Sequence, residues 1–225
     1  MQCAHNKKYL FLTMVLIPVF FSCVSTKEKG ADAFLEDYGK YAPSPSHFSI
    51  CYSHGCNRSA DVQLTGEEWN RVRQLCDPGP SDAAAERQCI AKAVSSLETI
   101  VGKHIGTDAD LGGSFAGTFR QYQMDCVDEA VNTITYLVMM KNDGLIRFHD
   151  LREPANRGYI IWGGWPHTAP VIVDKLSGRE YAVDSWFLDN GQPPFIIPLE
   201  QWKDGWRPSR EKPQPGTDRE GMPCH

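Results

Sequence analysis

The sequence predicts an α+β fold, with N-terminal helices packed on a C-terminal antiparallel sheet, and three observations carry the prediction. The segments with helical apolar spacing all precede Gly144. Segments of strand character take over after Gly144. Among them, "TAPVIVDKLSGREYAVDSWF" has two β-rich arms joined by Leu176-Ser177-Gly178, a hairpin signature. Helices followed by strands, rather than alternating with them, give α+β.

The N-terminus comes first. Lys7 and Lys8 precede the apolar run "YLFLTMVLIPVFF", and Ser22-Cys23 follows. A basic stretch, a short apolar core and a small residue before the break describe an export signal over 1–22. The run is shorter than the ~20 residues a membrane span needs. A cysteine directly after it resembles the lipobox of bacterial lipoproteins, so Cys23 is the expected lipidation site, although Phe20 stands where that motif usually has Leu. Removing Lys7 and Lys8 takes the net charge from −5 to −5 − 2 = −7. Residues 23–45 carry Lys, Glu, Gly, Ser and Pro and read as a flexible tether. The expected location is the periplasmic face of a bacterial membrane, held by the lipid, or otherwise periplasmic or secreted.

The domain is expected over 46–210. "HFSICYSHGCN" holds a turn at His54-Gly55, and Thr65-Gly66-Glu67-Glu68 is a capping box opening a helix through Trp69, Val72 and Leu75. "DPGPSD" breaks that helix, and Ser81 is a candidate cap for the next, which buries Ile90, Val94, Leu97 and Val101. A Gly-rich loop leads to "QYQMDCVDEAVNTITYLVMM". There Val127, Ala130, Val131, Ile134, Leu137 and Val138 line one helical face, Asp125 is the N-cap, and Asn142-Asp143-Gly144 is the stop. "LIRFHDL" and "GYIIWGGW" have strand character ahead of the hairpin. Residues 211–225 are expected to be a disordered tail.

Composition narrows the function classes. At 225 residues, 41% apolar and 23% charged, the chain fits one domain with its own core. Net charge is −5 with no Lys/Arg run to follow a phosphate backbone, which argues against nucleic acid. Export favours disulfides. Cys51, Cys56, Cys76 and Cys89 cluster before residue 90, and local pairing, Cys51 with Cys56 and Cys76 with Cys89, is one of three connectivities. The same pattern leaves Cys126 upstream of a tail cysteine, Cys224, with which it could itself pair. His47, Cys51, His54 and Cys56 also match zinc by residue type, but disulfide formation is favoured over metal in an exported chain.

A cysteine on a helix is ordinarily a small buried hydrophobe. Its company gives Cys126 another reading. His167 immediately precedes the first hairpin strand and Asp184 lies in the second, separations of 41 and 17 residues. Adjacent antiparallel strands bring such side chains within about 5 Å. A thiolate attacks carbonyls, a helix N-terminus stabilises it, an imidazole carries its proton, and a carboxylate orients the imidazole. The backbone N–H of Cys126 is an oxyanion donor candidate, with Gln121 and Gln123 as side-chain candidates. Against activation, Asp125, Asp128 and Glu129 crowd the helix start, where negative charge raises a thiol pKa. Those carboxylates either cap the helix or hold a basic substrate group. His149 is the rival base, but no carboxylate stands at hairpin spacing from it. Trp162, Trp165 and Trp186 read first as core; Trp165 and Trp186 are candidates for a substrate groove.

The Asp-Cys pair at a helix start, a His leading a strand and an Asp in the next strand resemble the transglutaminase-like branch of the papain-like cysteine enzymes, over roughly residues 120–190. The chain also resembles bacterial exported proteins that pair "QMDCVDEA" with "YAVDSWF". The resemblance implies a papain/transglutaminase-like core with Cys126 as nucleophile, His167 as base and Asp184 as orienting carboxylate. It further implies acyl transfer or amide hydrolysis on a peptide or protein substrate, without a cofactor. Ala169 departs from the family, which often has Trp two residues after the His, and Pro170 argues for an edge strand. The alternative is a non-catalytic periplasmic binding or assembly module that keeps the fold.

Overall fold

Helix α4 (Cys126–Asn142) is buried along most of its length in this computed structural model, which describes residues 30–113, 122–158 and 166–209. The other helices are α1 (Ala31–Asp37), α2 (Gly66–Gln74), α3 (Ala83–Ile105) and α5 (Leu199–Lys203). The strands are β1 (Phe48–Tyr52), β2 (Arg58–Val62), β3 (His149–Arg157), β4 (His167–Asp174), β5 (Glu180–Asp184) and β6 (Phe195–Pro198). Strands β1 and β2 form an antiparallel hairpin turning at 53–57, and β3-β4-β5-β6 form one antiparallel sheet in chain order. The fold is therefore α+β. No helix among the described residues is long and apolar enough to cross a membrane.

Local chemistry explains most boundaries. Thr65 accepts from the Glu68 N–H while Glu68 reaches back to the Thr65 N–H, so the capping box forms as expected. Asp125 closes the equivalent box on α4 with Asp128. Helix α3 starts one residue later than expected: Asp82, not Ser81, accepts from the Ala85 N–H at 2.8 Å. Its C-terminus closes on Gly106 at φ +86°, where a glycine is needed.

The tether expected over 23–45 is corrected in its second half. Helix α1 buries Ala31 and Leu35 against Val131, Ile134 and Val138 of α4. At its end, the buried Lys40 ammonium donates to the hydroxyls of Ser49 and Ser59 on the β1-β2 hairpin. A short amphipathic helix inside a polar segment leaves little periodicity to read. The segment "LIRFHDL" also shifts, since β3 begins only at His149, and most of "GYIIWGGW" lies outside the described residues, as do 1–29 and 211–225.

Pro170 does not mark an edge. Strand β4 lies inside the sheet between β3 and β5. The ladder with β3 shifts register between Arg152 and Ala155, opposite Pro170, so the proline falls where no regular bond is made. At the other end of the β4-β5 pair, the turn closes by Asp174, which accepts from the N–H groups of Leu176 and Ser177, and Leu176 is 98% exposed at its tip.

His149 has a structural role. Its ring is fully buried, with Nδ1 2.8 Å from Glu86 Oε1, and Arg87 donates to Nε2 at 3.2 Å. An arginine can only donate, so Nδ1 carries the proton toward Glu86. The Glu86 carboxylate also collects the N–H groups of Arg147, Phe148 and His149. Burial pushes its pKa up, but these donors outweigh burial and hold it below the usual range. We expect Glu86→Ala to strand three backbone donors and an imidazole and to destabilise the fold by about 3 kcal/mol or more. Urea unfolding monitored by circular dichroism measures this; a loss under about 1 kcal/mol would deny the carboxylate its anchoring role.

Candidate active site

The start of α4 packs against the start of β4. Cys126 is the first residue of the helix, 7% exposed, and the free cysteine among the described residues. Its thiol donates to the Pro166 carbonyl, with sulfur and oxygen 3.7 Å apart, and the Thr168 backbone N–H also stabilises the sulfur. These two backbone groups flank His167 in sequence. The thiol hydrogen goes to Pro166 rather than to the imidazole.

His167 is 5% exposed, and its Nε2 lies 2.7 Å from Asp184 Oδ2. The two are not directly opposite: the β4-β5 ladder pairs Val171 with Ala182, and continuing it sets Asp184 opposite Ala169. They are diagonal neighbours on one face, within reach of an imidazole. With Nε2–H given to the carboxylate, the neutral ring presents Nδ1 as acceptor. Nδ1 is buried and has no partner among the described residues. The ring packs in an aromatic cage, its centroid 4.8 Å from Trp186, 5.4 Å from Phe187 and 5.4 Å from Trp202.

Trp202 is a site residue that sequence reading missed. Its indole N–H donates to the same Asp184 oxygen at 2.7 Å, and the Arg157 guanidinium lies 4.4 Å over its ring. Arg157 also donates to the Trp202 and Trp206 carbonyls. Two donors on one carboxylate oxygen fix its orientation and hence that of the imidazole. No local pattern around Trp202 signals this, because the contact depends on α5 folding back under the sheet.

The thiol is not activated at rest. Burial raises its pKa, Asp125 and Asp184 add to the rise, and the result is about 11 despite the opposing backbone donors. The backbone N–H at the helix start does lower it, as expected, but burial and the two carboxylates outweigh that contribution.

The acidic first turn is committed to structure. Asp128 is fully buried; one oxygen accepts from the His54 N–H and the other from Cys56, both at 2.7 Å. Asp125 accepts from the N–H groups of Gly55, Val127 and Asp128. Glu129 accepts from the Ser185 hydroxyl at 2.9 Å. Neither Asp128 nor Glu129 is therefore available to hold a basic substrate group. The loop they receive is unusual: Ser53, His54, Gly55 and Cys56 have φ of 69°, 68°, 65° and 58°. Each non-glycine residue there costs about 1 kcal/mol or more. Two disulfides, Cys51–Cys56 and Cys76–Cys89, match the local pairing, and the first spans this loop. Cys51 and Cys56 thus bind each other rather than a zinc ion.

Gln123 is corrected as an oxyanion candidate. Its amide donates to the Ala109 carbonyl at 3.0 Å and accepts from the Leu111 N–H at 3.2 Å, so it anchors the 109–111 loop. That loop runs against residues 186–190, where a Cβ on Gly112 would collide with the Leu188 backbone. Gln121, Trp162 and Trp165 lie outside the described residues. Trp186 is half-buried against His167. A separate cleft of about 560 Å³, lined by Arg73, Pro78, Asp143 and Arg147, sits at the far end of α4. That is about 24 Å from the thiol at 1.5 Å per residue.

Around Glu129 lies a set of buried acids, Glu98, Asp110 and Asp128, within its electrostatic reach. Glu98 accepts from the Gly191 N–H and Asp110 from the Met124 N–H. Burial raises Glu98 to about 8 and Asp110 and Asp128 to about 7, and lifts Glu129 well above the ordinary range. Acids with raised folded-state pKa keep their protons longer in the folded chain, so their contribution to stability is full below about pH 4 and is lost as pH rises through 7 to 8. We expect a lower urea midpoint at pH 8 than at pH 5, and a flatter profile for Glu129→Gln, which keeps a Ser185 acceptor without charge. A midpoint that rises with pH would contradict the sign. For the thiol, we expect iodoacetamide alkylation of folded Cys126 at pH 8 to be slower than that of free cysteine and to climb beyond pH 9.

No family model, curated protein or solved structure matches this chain.

Proposed function

We propose that this chain is an exported thiol enzyme that performs acyl transfer or amide hydrolysis on a peptide or protein, with Cys126 as nucleophile and a papain/transglutaminase-like core. In this reading Cys23 anchors the mature protein to the periplasmic face of a membrane. One observation carries the proposal. Asp184 holds His167 by Nε2, leaving Nδ1 unpartnered on the residue between the two backbone groups that flank the Cys126 sulfur.

A resting thiol near pKa 11 calls for general-base catalysis rather than a preformed ion pair. The substrate carbonyl meets the sulfur, the S–H leaves Pro166, and Nδ1 takes its proton as the C–S bond forms. The carbonyl oxygen becomes the oxyanion, facing the Cys126 N–H at the helix start. Asp184 stabilises the imidazolium, helped by Trp202. The imidazolium then protonates the leaving amine or alcohol, and the thioester remains. Water or an amine attacks it while Nδ1 accepts the proton, which returns to sulfur as the C–S bond breaks. The acyl group and protons move but no oxidation state changes, so the reading calls for no cofactor.

The second reading is a binding or assembly module without turnover, and the buried, neutral thiol favours it. One experiment separates the two. The oxidised protein is treated with p-nitrophenyl acetate, and acetyl gain is located by peptide mass. The enzyme reading expects acetylation at Cys126, lost in Cys126→Ala and slowed about 10²- to 10⁴-fold in His167→Ala. Equal rates in wild type and His167→Ala, or label confined to lysines, would favour the binding module.

A further inference from the structure

The hairpin loop 53–56 and the start of α4 hold each other in place. Four backbone N–H groups of the loop point at the helix start: Ser53 to the Gln123 carbonyl, His54 and Cys56 to Asp128, and Gly55 to Asp125. Just before the loop, the Asn132 side chain takes both backbone groups of Cys51, accepting from its N–H at 2.7 Å and donating to its carbonyl at 2.9 Å. Gathering successive N–H groups onto carboxylates requires the run of left-handed residues at 53–56, and L-residues do not hold such a run unaided. The Cys51–Cys56 bond spans the run, and the carboxylates of Asp125 and Asp128 accept from its N–H groups.

The dependence is mutual. Asp128 is fully buried, and its acceptors are met by His54, Cys56 and the Asp125 N–H. It is also the third residue of α4 and closes the capping box over the turn that begins with Cys126. If the loop unwinds, Asp128 is left buried with most of its donors gone, and the turn must open to hydrate it.

We propose that the Cys51–Cys56 disulfide is a redox gate on the Cys126 site, which is competent when the bond is intact and disabled when a small dithiol reduces it. The inference rests on Cys126 being the working thiol. Cys51 is fully buried and Cys56 half-buried, so the reductant's thiolate attacks the Cys56 sulfur. The Cys51 sulfur leaves and takes a proton, and the reductant's second thiol displaces Cys56 to close its own disulfide. One protein disulfide is thereby exchanged for two protein thiols. The freed loop relaxes to right-handed backbone, its N–H groups leave Asp125 and Asp128, and the first turn of α4 frays. The acyl-transfer chemistry is then confined to compartments where disulfides persist.

The test compares oxidised wild type, Cys51→Ala/Cys56→Ala and, as a control for general stability, Cys76→Ala/Cys89→Ala. Two quantities are read: amide hydrogen exchange over residues 53–57 and 126–129, and the p-nitrophenyl acetate rate at Cys126. The gate expects tenfold or greater loss of protection in both segments and a tenfold or greater fall in acetylation for the first variant. Protection at 134–140 should remain, and the control should keep both readouts. Unchanged protection at 126–129 in the first variant, or equal losses in both variants, would overturn the gate. If wild type and His167→Ala acetylate equally, the enzyme reading fails, and exchange alone still decides whether the loop governs the helix start.

Discussion

Helix α4 is buried on nearly every side, and that constraint organises the molecule. A helix enclosed all round has no solvent to accept its polar side chains, so each must find a partner in a neighbouring element. Asn132 takes the backbone of Cys51, Asp128 takes the loop after it, and Thr133 and Glu129 meet at Ser185. These partners come from the β1-β2 hairpin on one side and the end of β5 on the other. The same pairings that satisfy the helix therefore bring Asp184, one residue before Ser185, and the disulfide loop to the level of Cys126.

The state of the thiol follows from a balance of magnitudes. A helix N-terminus offers a negative charge about 0.3–1 kcal/mol, reaching about 2 in favourable partly buried geometry. Moving a thiol from an ordinary 9.0 to about 11 corresponds to roughly 3 kcal/mol in the other direction. Burial and the nearby carboxylates win. In the proposed reaction, proton transfer therefore has to be coupled to attack, and the orientation of the imidazole matters more than the strength of the dipole. The donor pair on Asp184, from His167 and Trp202, supplies that orientation.

Much of this was legible because it is local. The Thr65 box, the α4 cap and stop, the β4-β5 hairpin and the short-range disulfides all rest on residues a few positions apart, and the spacing of His167 and Asp184 inherits its meaning from the hairpin. What stayed hidden is non-local. Helix α1 is read as tether because its two anchoring residues, Ala31 and Leu35, sit among polar ones. Trp202 lies beyond β6 and meets Asp184 only after the chain reverses. The acids of α4 present the same letters whether they cap, repel or bind, and only the hairpin packed on them shows which. Pro170 misleads because the bulge that tolerates it belongs to the neighbouring strand.

The β4-β5 hairpin has two ends with opposite character. One carries His167 and Asp184 beneath aromatic rings; the other ends in a tight turn whose Leu176 projects almost wholly into solvent. Seven residue steps of strand separate them, roughly 23 Å. A fluorophore or surface tether grafted at that tip would ride on the very strands that hold the imidazole and carboxylate without crowding either, giving a natural handle for immobilising or watching the protein.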